Sequence, residues 1–464
     1  MRDMADPVRN EALAALQKLF TEKPGHASLS QALAPGLKNT AFSDTDKRFL
    51  RRLATGVTER KAMLEGMLRL RSTVDPKKMK PLIRMILMCG LYELFFMDTK
   101  PYAVVSEYVK LAEKRGFYGL KGFVNGFLRS VGRDIDEKGK VRALESLTEA
   151  LSLRERLCLP EELYELFSSW FDEETLISIC LSFLNEDREL TVRLMKSNAT
   201  KEALRESLAK EGIVLKENDY SDSLLQETCF TLENVNDLTG LEAFQKGWFY
   251  IQSLSSQLDC LTLSDILREN REIRVYDACS SPGGKSIDLS DENPEKAQIL
   301  ACDTDEERLA AVQENIKRLH IQNIRTEVRD ATVFEPAFEQ AFDIVICDAP
   351  CSGLGTIGKN PDIRLNVTKE SVKRIGELQR AILDNVSRYV KPGGVLIYST
   401  CTVNPGENTE QTAAFLQKHK EFVQEEAAAF LPEKLKQAAA GKDILMLPGM
   451  FSQDGFYVCR MRRL

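Results

Sequence analysis

The sequence predicts a multidomain chain: an all-α helical bundle, a small α+β linker domain and an α/β domain built on a doubly wound sheet. Three observations predict it. Apolar residues recur at helical spacing through residues 1–141. A strand, a capped helix and a second strand lie within 142–235. Through 236–464 short β-rich runs alternate with helical stretches, the rhythm of a largely parallel sheet covered on both faces. The 464 residues suit about three domains.

In the first region, "DPVRNEALAALQKLF" opens with Asp6 at an N-cap and Pro7 at the first helical position. "SDTDKRFLRRLATGVTERKAMLEGMLRL" continues the pattern, capped at Ser43 or Asp44, and "DPKKMKPLIRMILMCGLYELFFM" gives a helix after Pro81. "PYAVVSEYVKLAEKRG" and "GLKGFVNGFLRSVGRD" complete the bundle. In the linker region "LPEELYELFSSWFDEETLISICLSFL" reads as helix, and "RELTVRLMKSNATKEALRESLAKEGIVLKEN" as strand, helix and strand. In the last region the strands are "IRVYDAC", "AQILACD", "IRTEVRD", "FDIVICDAP" and "GVLIYST", with a final antiparallel pair in "KDILMLPGM" and "DGFYVCRMRRL".

Composition bounds the function. The start, "MRDMADPVRN", is charged and lacks an apolar signal core. The greasiest run is interrupted by Arg84 and Glu93 and is too short to span a bilayer, so no membrane partner is expected. Eleven cysteines without a regular framework, several in apolar strands (Cys347, Cys459), suit buried reduced thiols and a cytoplasmic location. Three histidines (His26, His320, His419) and no CxxC spacing leave no metal expected. The net charge of −7 conceals an asymmetry: residues 1–150 hold 27 Lys+Arg against 18 Asp+Glu, or +9, and the remainder is −16. That distribution suggests a basic docking arm on an acidic body.

In an open parallel sheet, ligands bind beyond the carboxyl ends of the strands. The first strand of the α/β region ends in "DACSSPGGKS", where Pro282, Gly283 and Gly284 make a tight loop before a helix. Its backbone N–H groups can approach an anionic group. Acids recur at the strand ends: Asp277, then Asp303, then Asp330, then Asp348. Asp303 can accept hydrogen bonds from a ribose and Asp330 from an adenine amino group, although acids there also serve as caps and turn formers. The chain lacks GxGxxG and GxxxxGK[ST], which disfavours NAD and a P-loop. S-adenosylmethionine fits better. It has no pyrophosphate, its sulfonium tolerates an acidic rim, and its carboxylate would lie against Gly283–Gly284.

Two cysteines follow two strands, Cys351 in "DAPCSG" and Cys401 in "YSTCTVNPGEN". Methylation of an exocyclic nitrogen would favour an aromatic after the proline, and Asp348-Ala349-Pro350-Cys351 has none. Methylation of a ring carbon, as at C5 of cytosine, asks for a thiolate that adds to C6, an acid near the ring, and a second group to assist release. Cys401, Cys351 and Asp348 supply these, with either cysteine able to attack. A non-catalytic RNA-binding assembly or antitermination factor is the alternative, disfavoured by the intact trio.

"DACSSPGGKS", "DAPCSGLGTIGKNPDIR" and "YSTCTVNPGENTEQ" resemble the three signature motifs of RNA cytosine-5 methyltransferases. "GLYELFFMDTKPYAVVSEYVKLAEKRGFYGLKGFVNGFLRSV" is similar to the NusB-like leader of the bacterial 16S rRNA methyltransferase family RsmB (Sun/Fmu), and "GWFYIQSLSSQ" to the segment that opens its catalytic domain. The resemblance implies a NusB-like all-helical RNA-binding domain and a Rossmann-like S-adenosylmethionine methyltransferase domain. It implies Cys401 as nucleophile, Cys351 as the thiol that assists release and Asp348 as the residue contacting the base. The cofactor residues it implies are Cys279, Ser280, Ser281, Pro282, Gly283, Gly284, Lys285, Asp303, Asp330 and Asp348. The implied partner is 16S ribosomal RNA, free or in a partly assembled small subunit, with a monomer as the default state. Ser280-Ser281 departs from the two alanines usual in the family, and the catalytic half is more acidic than the family often is.

The stretch from Arg51 to Arg84 carries ten Lys/Arg and three Asp/Glu, a face that could lie along RNA phosphates. Lys359, Arg364 and Lys373-Arg374 follow the "DAPC" loop and are expected to hold the strand near the catalytic cleft. The target base must be unpaired or flipped out to expose its ring carbon.

Overall fold

The structure is a computed structural model that describes residues 6–21, 28–185, 189–221, 223–235 and 237–464. His26, the opening residues 1–5, and Arg188, with which the expected first strand begins, lie outside them. The chain forms two compact units. One comprises Met1–Leu184 with Ile357–Lys369, the other Asn185–Thr356 with Glu370–Leu464.

The first unit is helical: α1 Pro7–Thr21, α2 Leu29–Leu37, α3 Asp44–Glu59, α4 Lys61–Arg71, α5 Pro81–Phe96, α6 Pro101–Lys114 and α7 Lys121–Lys138, followed by shorter helices. The expected caps form. Asp6 accepts from the N–H of Val8 (2.7 Å) and Arg9 (3.1 Å), and Ser43 makes a capping box with Asp46. Helix α5 is buried along nearly its whole length and forms the centre of the unit. Its one interior charge, Glu93, accepts from Arg9 Nε (2.9 Å) and the Tyr108 hydroxyl (3.0 Å), so a buried carboxylate is matched rather than exposed.

The run from Ser43 that reads as one helix is two. The chain turns at Arg60, whose guanidinium lies 4.7 Å from the Phe96 ring centroid and pairs with Glu59 at 2.7 Å. Arg60 is therefore buried and leaves the basic face expected between Arg51 and Arg84. The helical run at 161–182 is likewise broken, at Asp172, which caps the next helix by accepting from Thr175 N–H at 2.8 Å.

The second unit holds two sheets. Strands β1 Leu190–Leu194, β2 Val214–Glu217, β3 Cys229–Glu233 and β4 Phe249–Ile251 form an antiparallel sheet in the order β2-β3-β1-β4. The larger sheet contains β5 Ile273–Asp277, β6 Ala297–Asp303, β7 Ile324–Val328, β8 Phe342–Asp348, β9 Val390–Thr400, β10 Phe422–Glu425, β11 Ala439–Ala440, β12 Asp443–Met446 and β13 Phe456–Arg463. Its order is β11-β12-β13-β9-β8-β5-β6-β7, with β10 also paired to β13. Strands β5 to β9 pair in parallel, and β13 joins β9 antiparallel. The last strand is thus inserted beside β9, and Val458, Cys459 and Met461 are buried there. The strand order reverses between β5 and β8, which opens a crevice at their carboxyl ends.

Candidate active site

Strand β5 ends at Asp277, and the loop after it is folded onto its neighbours. Ala278 N–H donates to Ile346 O (3.0 Å) and Ser280 N–H to Cys302 O (2.7 Å). Gly283 takes φ +102°, a conformation that favours glycine, and donates back to Ser280 O before the helix Gly284–Glu292 begins. A Cβ on Gly284 would stand 3.0 Å from Gln252 Nε2, so a side chain there would crowd Gln252. The hydroxyls of Ser280 and Ser281 are buried without a hydrogen-bond partner among the described residues. Asp303, at the end of β6, accepts from Ser281 N–H (3.4 Å) and Asp305 N–H (3.1 Å). Asp330 lies beyond β7, exposed, with one oxygen taken by the N–H (2.8 Å) and hydroxyl (2.7 Å) of Thr332.

Asp277 does not stand on the rim as the sequence suggested. It is fully buried beneath the helix start, accepts from the Ser286 hydroxyl at 2.7 Å, and burial pushes its carboxyl up to about 7. The rim acids are Asp303, Asp330 and Asp348. Cys279 is packed against the apolar core and burial pushes its thiol well up.

Lys285 turns away from the glycine loop toward β8. Its Nζ lies 2.5 Å from Asp348 Oδ2, 3.7 Å from Asp259 Oδ2 and 5.3 Å from the Phe456 ring. Burial opposes its charge, but the carboxylates of Asp348 and Asp259 outweigh that and hold the ammonium well above its usual range. Asp259 is fully buried. Burial first, then the Asp348 charge, raises it to about 7 against the pull of Lys285. The Ser399 hydroxyl faces both acids, 2.7 Å from Asp259 Oδ2 and 3.4 Å from Asp348 Oδ1.

The two cysteine loops meet at the ends of β8 and β9. The Cys351 and Cys401 sulfurs are 3.3 Å apart. Gly355 N–H donates to Cys401 O at 3.0 Å, and Gly455 N–H to Gly355 O at 2.9 Å. The hydrogen bond with Cys401, reinforced by burial, pushes the Cys351 thiol well up, so Cys351 holds a proton. Beneath them sits the buried Glu407. It accepts from Ser352 N–H (2.8 Å), the Ser352 hydroxyl (2.5 Å), Gln379 Nε2 (2.9 Å) and Asn404 Nδ2 (2.9 Å).

The structure thus brings Asp348, Lys285, Cys351 and Cys401 together, sets the serine–glycine loop one strand and Asp303 two strands from β8, and leaves Asp330 at the outer end of the row. Sequence reasoning missed Asp259, Ser399, Gln379 and Glu407. Glu407 stands inside the "NPGEN" turn, where a carboxylate reads as solvated; Asp259 sits in a short helix without periodicity. Of the basic residues expected near the cleft, Lys373 and Arg374 are exposed. Arg364 is not: it is 3% exposed within the first unit, with its guanidinium 5.7 Å from the Phe183 ring.

Residues 264–462 match the family model described as 16S rRNA methyltransferase RsmB/F, and residues 6–133 match that of the NusB family. The chain is 30% identical over 460 residues to a protein of Bacillus subtilis (strain 168) named probable ribosomal RNA small subunit methyltransferase B, covering 98% of each chain. It belongs to the RsmB/F methyltransferase family. Another relative, ribosomal RNA small subunit methyltransferase B of Escherichia coli O6:K15:H31, is 30% identical over 455 residues, again 98% of each chain. Among solved structures, that of PH0851 is similar over 99% of this chain and 100% of its own (TM-score 0.74, 20% identity). That of NSun6 from Pyrococcus horikoshii with SFG covers 66% of this chain and 98% of its own (TM-score 0.57, 21% identity).

As a member of the RsmB/F family the protein is an enzyme that uses S-adenosylmethionine. The loop fits that cofactor. Two buried hydroxyls, at Ser280 and Ser281, lack hydrogen-bond partners among the described residues. The helix N-terminus at Gly284 suits a carboxylate.

Proposed function

We propose that this RsmB/F-family enzyme methylates C5 of a cytosine in 16S rRNA through a transient bond between Cys401 Sγ and C6 of the ring. The observation that carries this reading is the 3.3 Å contact between Cys351 and Cys401 beside the Lys285–Asp348 ion pair. An exocyclic amine would need no thiol; C5 of cytosine needs one, because the ring is a poor nucleophile until C6 is saturated.

The motif "YSTCTVNPGEN", which resembles the family's nucleophile motif, supports Cys401 as the attacking thiol, and Cys351, 3.3 Å away, is within reach to donate to its sulfur. Asp348, ion-paired with Lys285, is an acceptor, and the cytosine amino group is the donor that suits it. Asp259, at about 7 and joined to Asp348 through Ser399, is a second carboxyl able to take or give a proton without exposure to water. Cysteine 351 then assists expulsion of Cys401 once the C5 proton has left. The cofactor supplies an electrophilic methyl group on a sulfonium; Ser280, Ser281, Gly283, Gly284, Asp303, Asp330 and Asp348 would hold it.

The test is a denaturing gel of protein incubated with 16S rRNA fragments and S-adenosylmethionine. Cys351→Ala should accumulate a protein–RNA adduct that resists denaturant, and Cys401→Ala should give none. Full methylation activity in Cys401→Ala would refute the assignment.

A further inference from the structure

Helices α6 and α7 line a cavity of about 660 Å³ in the first unit. Residues four apart share one face of a helix. On α6 that rule stacks Tyr102, Ser106 and Lys110; on α7 it stacks Asn125, Arg129 and Arg133. Both rows line the cavity, and Val105 and Val109 supply its apolar part. Gly132 lets the rows come together: a Cβ there would stand 3.2 Å from Pro101 Cβ, so α7 runs close to α6 beside Tyr102.

The polar and aromatic groups along these rows are unused. The Tyr102 ring is 74% exposed and makes no ring contact or hydrogen bond among the described residues. A single exposed ring needs no explanation. Here it stands with two exposed guanidinium groups, Arg129 and Arg133, that have no carboxylate partner among the described residues. The Asn125 amide, a donor and an acceptor, is likewise unbonded among them. The lining holds three cations, Lys110, Arg129 and Arg133, against one acid, Asp136, and only Lys110 is matched, by Glu107 at 3.0 Å. A positively charged groove with an aromatic shelf suits a single-stranded nucleic acid: phosphates meet the cations and a base lies on the ring. A duplex keeps its base faces stacked and could use only the cations. An acidic peptide would also leave the ring idle.

We propose that this cavity docks a single-stranded segment of the substrate RNA, with one base stacked on Tyr102 and the flanking phosphates held by Arg129 and Arg133. The Asn125 amide supplies hydrogen bonds for the edge of that base. None of these residues lies between Arg51 and Arg84, so the contact is separate from the basic face expected there. The proposal rests on an RNA substrate, but not on which ring atom is methylated or which cysteine attacks.

The experiment uses the full chain and a fluorescein-labelled single-stranded RNA of ten nucleotides, read by anisotropy across a salt series. Tyr102→Ala should weaken binding about tenfold at constant salt slope, and Tyr102→Phe should bind as the wild type does. Arg129→Gln with Arg133→Gln should lower the slope of log affinity against log salt by about 1–1.5. The same RNA annealed to its complement should bind Tyr102→Ala and the wild type equally. A version carrying 4-thiouridine, cross-linked by ultraviolet light, should attach to α6 or α7. The three positions are exposed, so the variants should keep the circular dichroism of the wild type. Unchanged single-strand affinity in Tyr102→Ala, or cross-links confined to other elements, would overturn the proposal. So would decaglutamate that displaces the RNA from the wild type but not from the double arginine variant, which marks a site for an acidic protein. Failure of Cys351→Ala to form its adduct, with these effects intact, overturns only the methylation reading.

Discussion

Glu407 accepts both the backbone N–H and the hydroxyl of Ser352, at 2.8 and 2.5 Å, so a residue of one cysteine loop is bonded to a residue next to the other cysteine. Gln379 and Asn404 complete the set. Glu407→Ala would leave four donors without that acceptor; the Ser352 hydroxyl and Gln379 keep Thr402 Oγ1 and Pro350 O, and each donor that finds no other partner costs about 1–3 kcal/mol. Methylation should fall at least about a hundredfold, because the two sulfurs lose their fixed separation. Glu407→Gln keeps the shape but offers only one acceptor oxygen, and should recover stability more than activity. Urea unfolding read beside methyl transfer distinguishes the two; an active Glu407→Ala would show that the loops hold without it.

Gly355 has no room for a larger residue. A Cβ there would lie 2.6 Å from Gly455 O and 2.8 Å from Cys401 O, both backbone atoms that cannot rotate away. Gly355→Ala should therefore displace Cys401, at about 1–3 kcal/mol of stability, and lower methyl transfer more than S-adenosylmethionine affinity. Calorimetric titration of the cofactor against the variant checks the split.

Burial holds the Asp277 carboxyl at about 7 in the folded chain, against 3.8 for an ordinary aspartate. The folded state therefore keeps a proton that the unfolded state releases. The stability this contributes is full below about pH 4 and lost as the pH rises through about 7. Asp277→Asn removes the titration, so its urea midpoint should fall less steeply than that of the wild type from about pH 4 to about pH 7. The difference approaches one proton, or about 1.4 kcal/mol per pH unit. Parallel profiles would show that Asp277 is not the titrating group.

Lys77, Lys78 and Lys80 are exposed and make no ion pair among the described residues. If this face contacts RNA phosphates, replacing all three with glutamine should reduce the slope of log affinity against log salt by about 2–3. Arg60→Gln should leave that slope nearly unchanged and lower stability instead, because Arg60 is stacked on Phe96. Filter binding across a salt series separates the two effects.

Much of the architecture could be read from local pattern. The Asp6 and Ser43 caps, the buried run of α5 and the five parallel strands all depend on residues adjacent in the chain, and each formed where its signals stand. The breaks at Arg60 and Asp172 were not legible, since one is set by rings of α5 and the other by a cap inside an otherwise helical run.

The motifs "DAPCSG" and "YSTCTVNPGEN" were sufficient to name two thiols and an acid, because their chemistry is a property of residue type at a strand end. They could not say that Asp277 would be covered, that Lys285 would turn to Asp348 rather than to the loop, or that Arg364 would be enclosed. Those outcomes depend on desolvation and on partners far along the chain. Burial and charge pairing are set by the packed three-dimensional surroundings, and only the tertiary structure decides them.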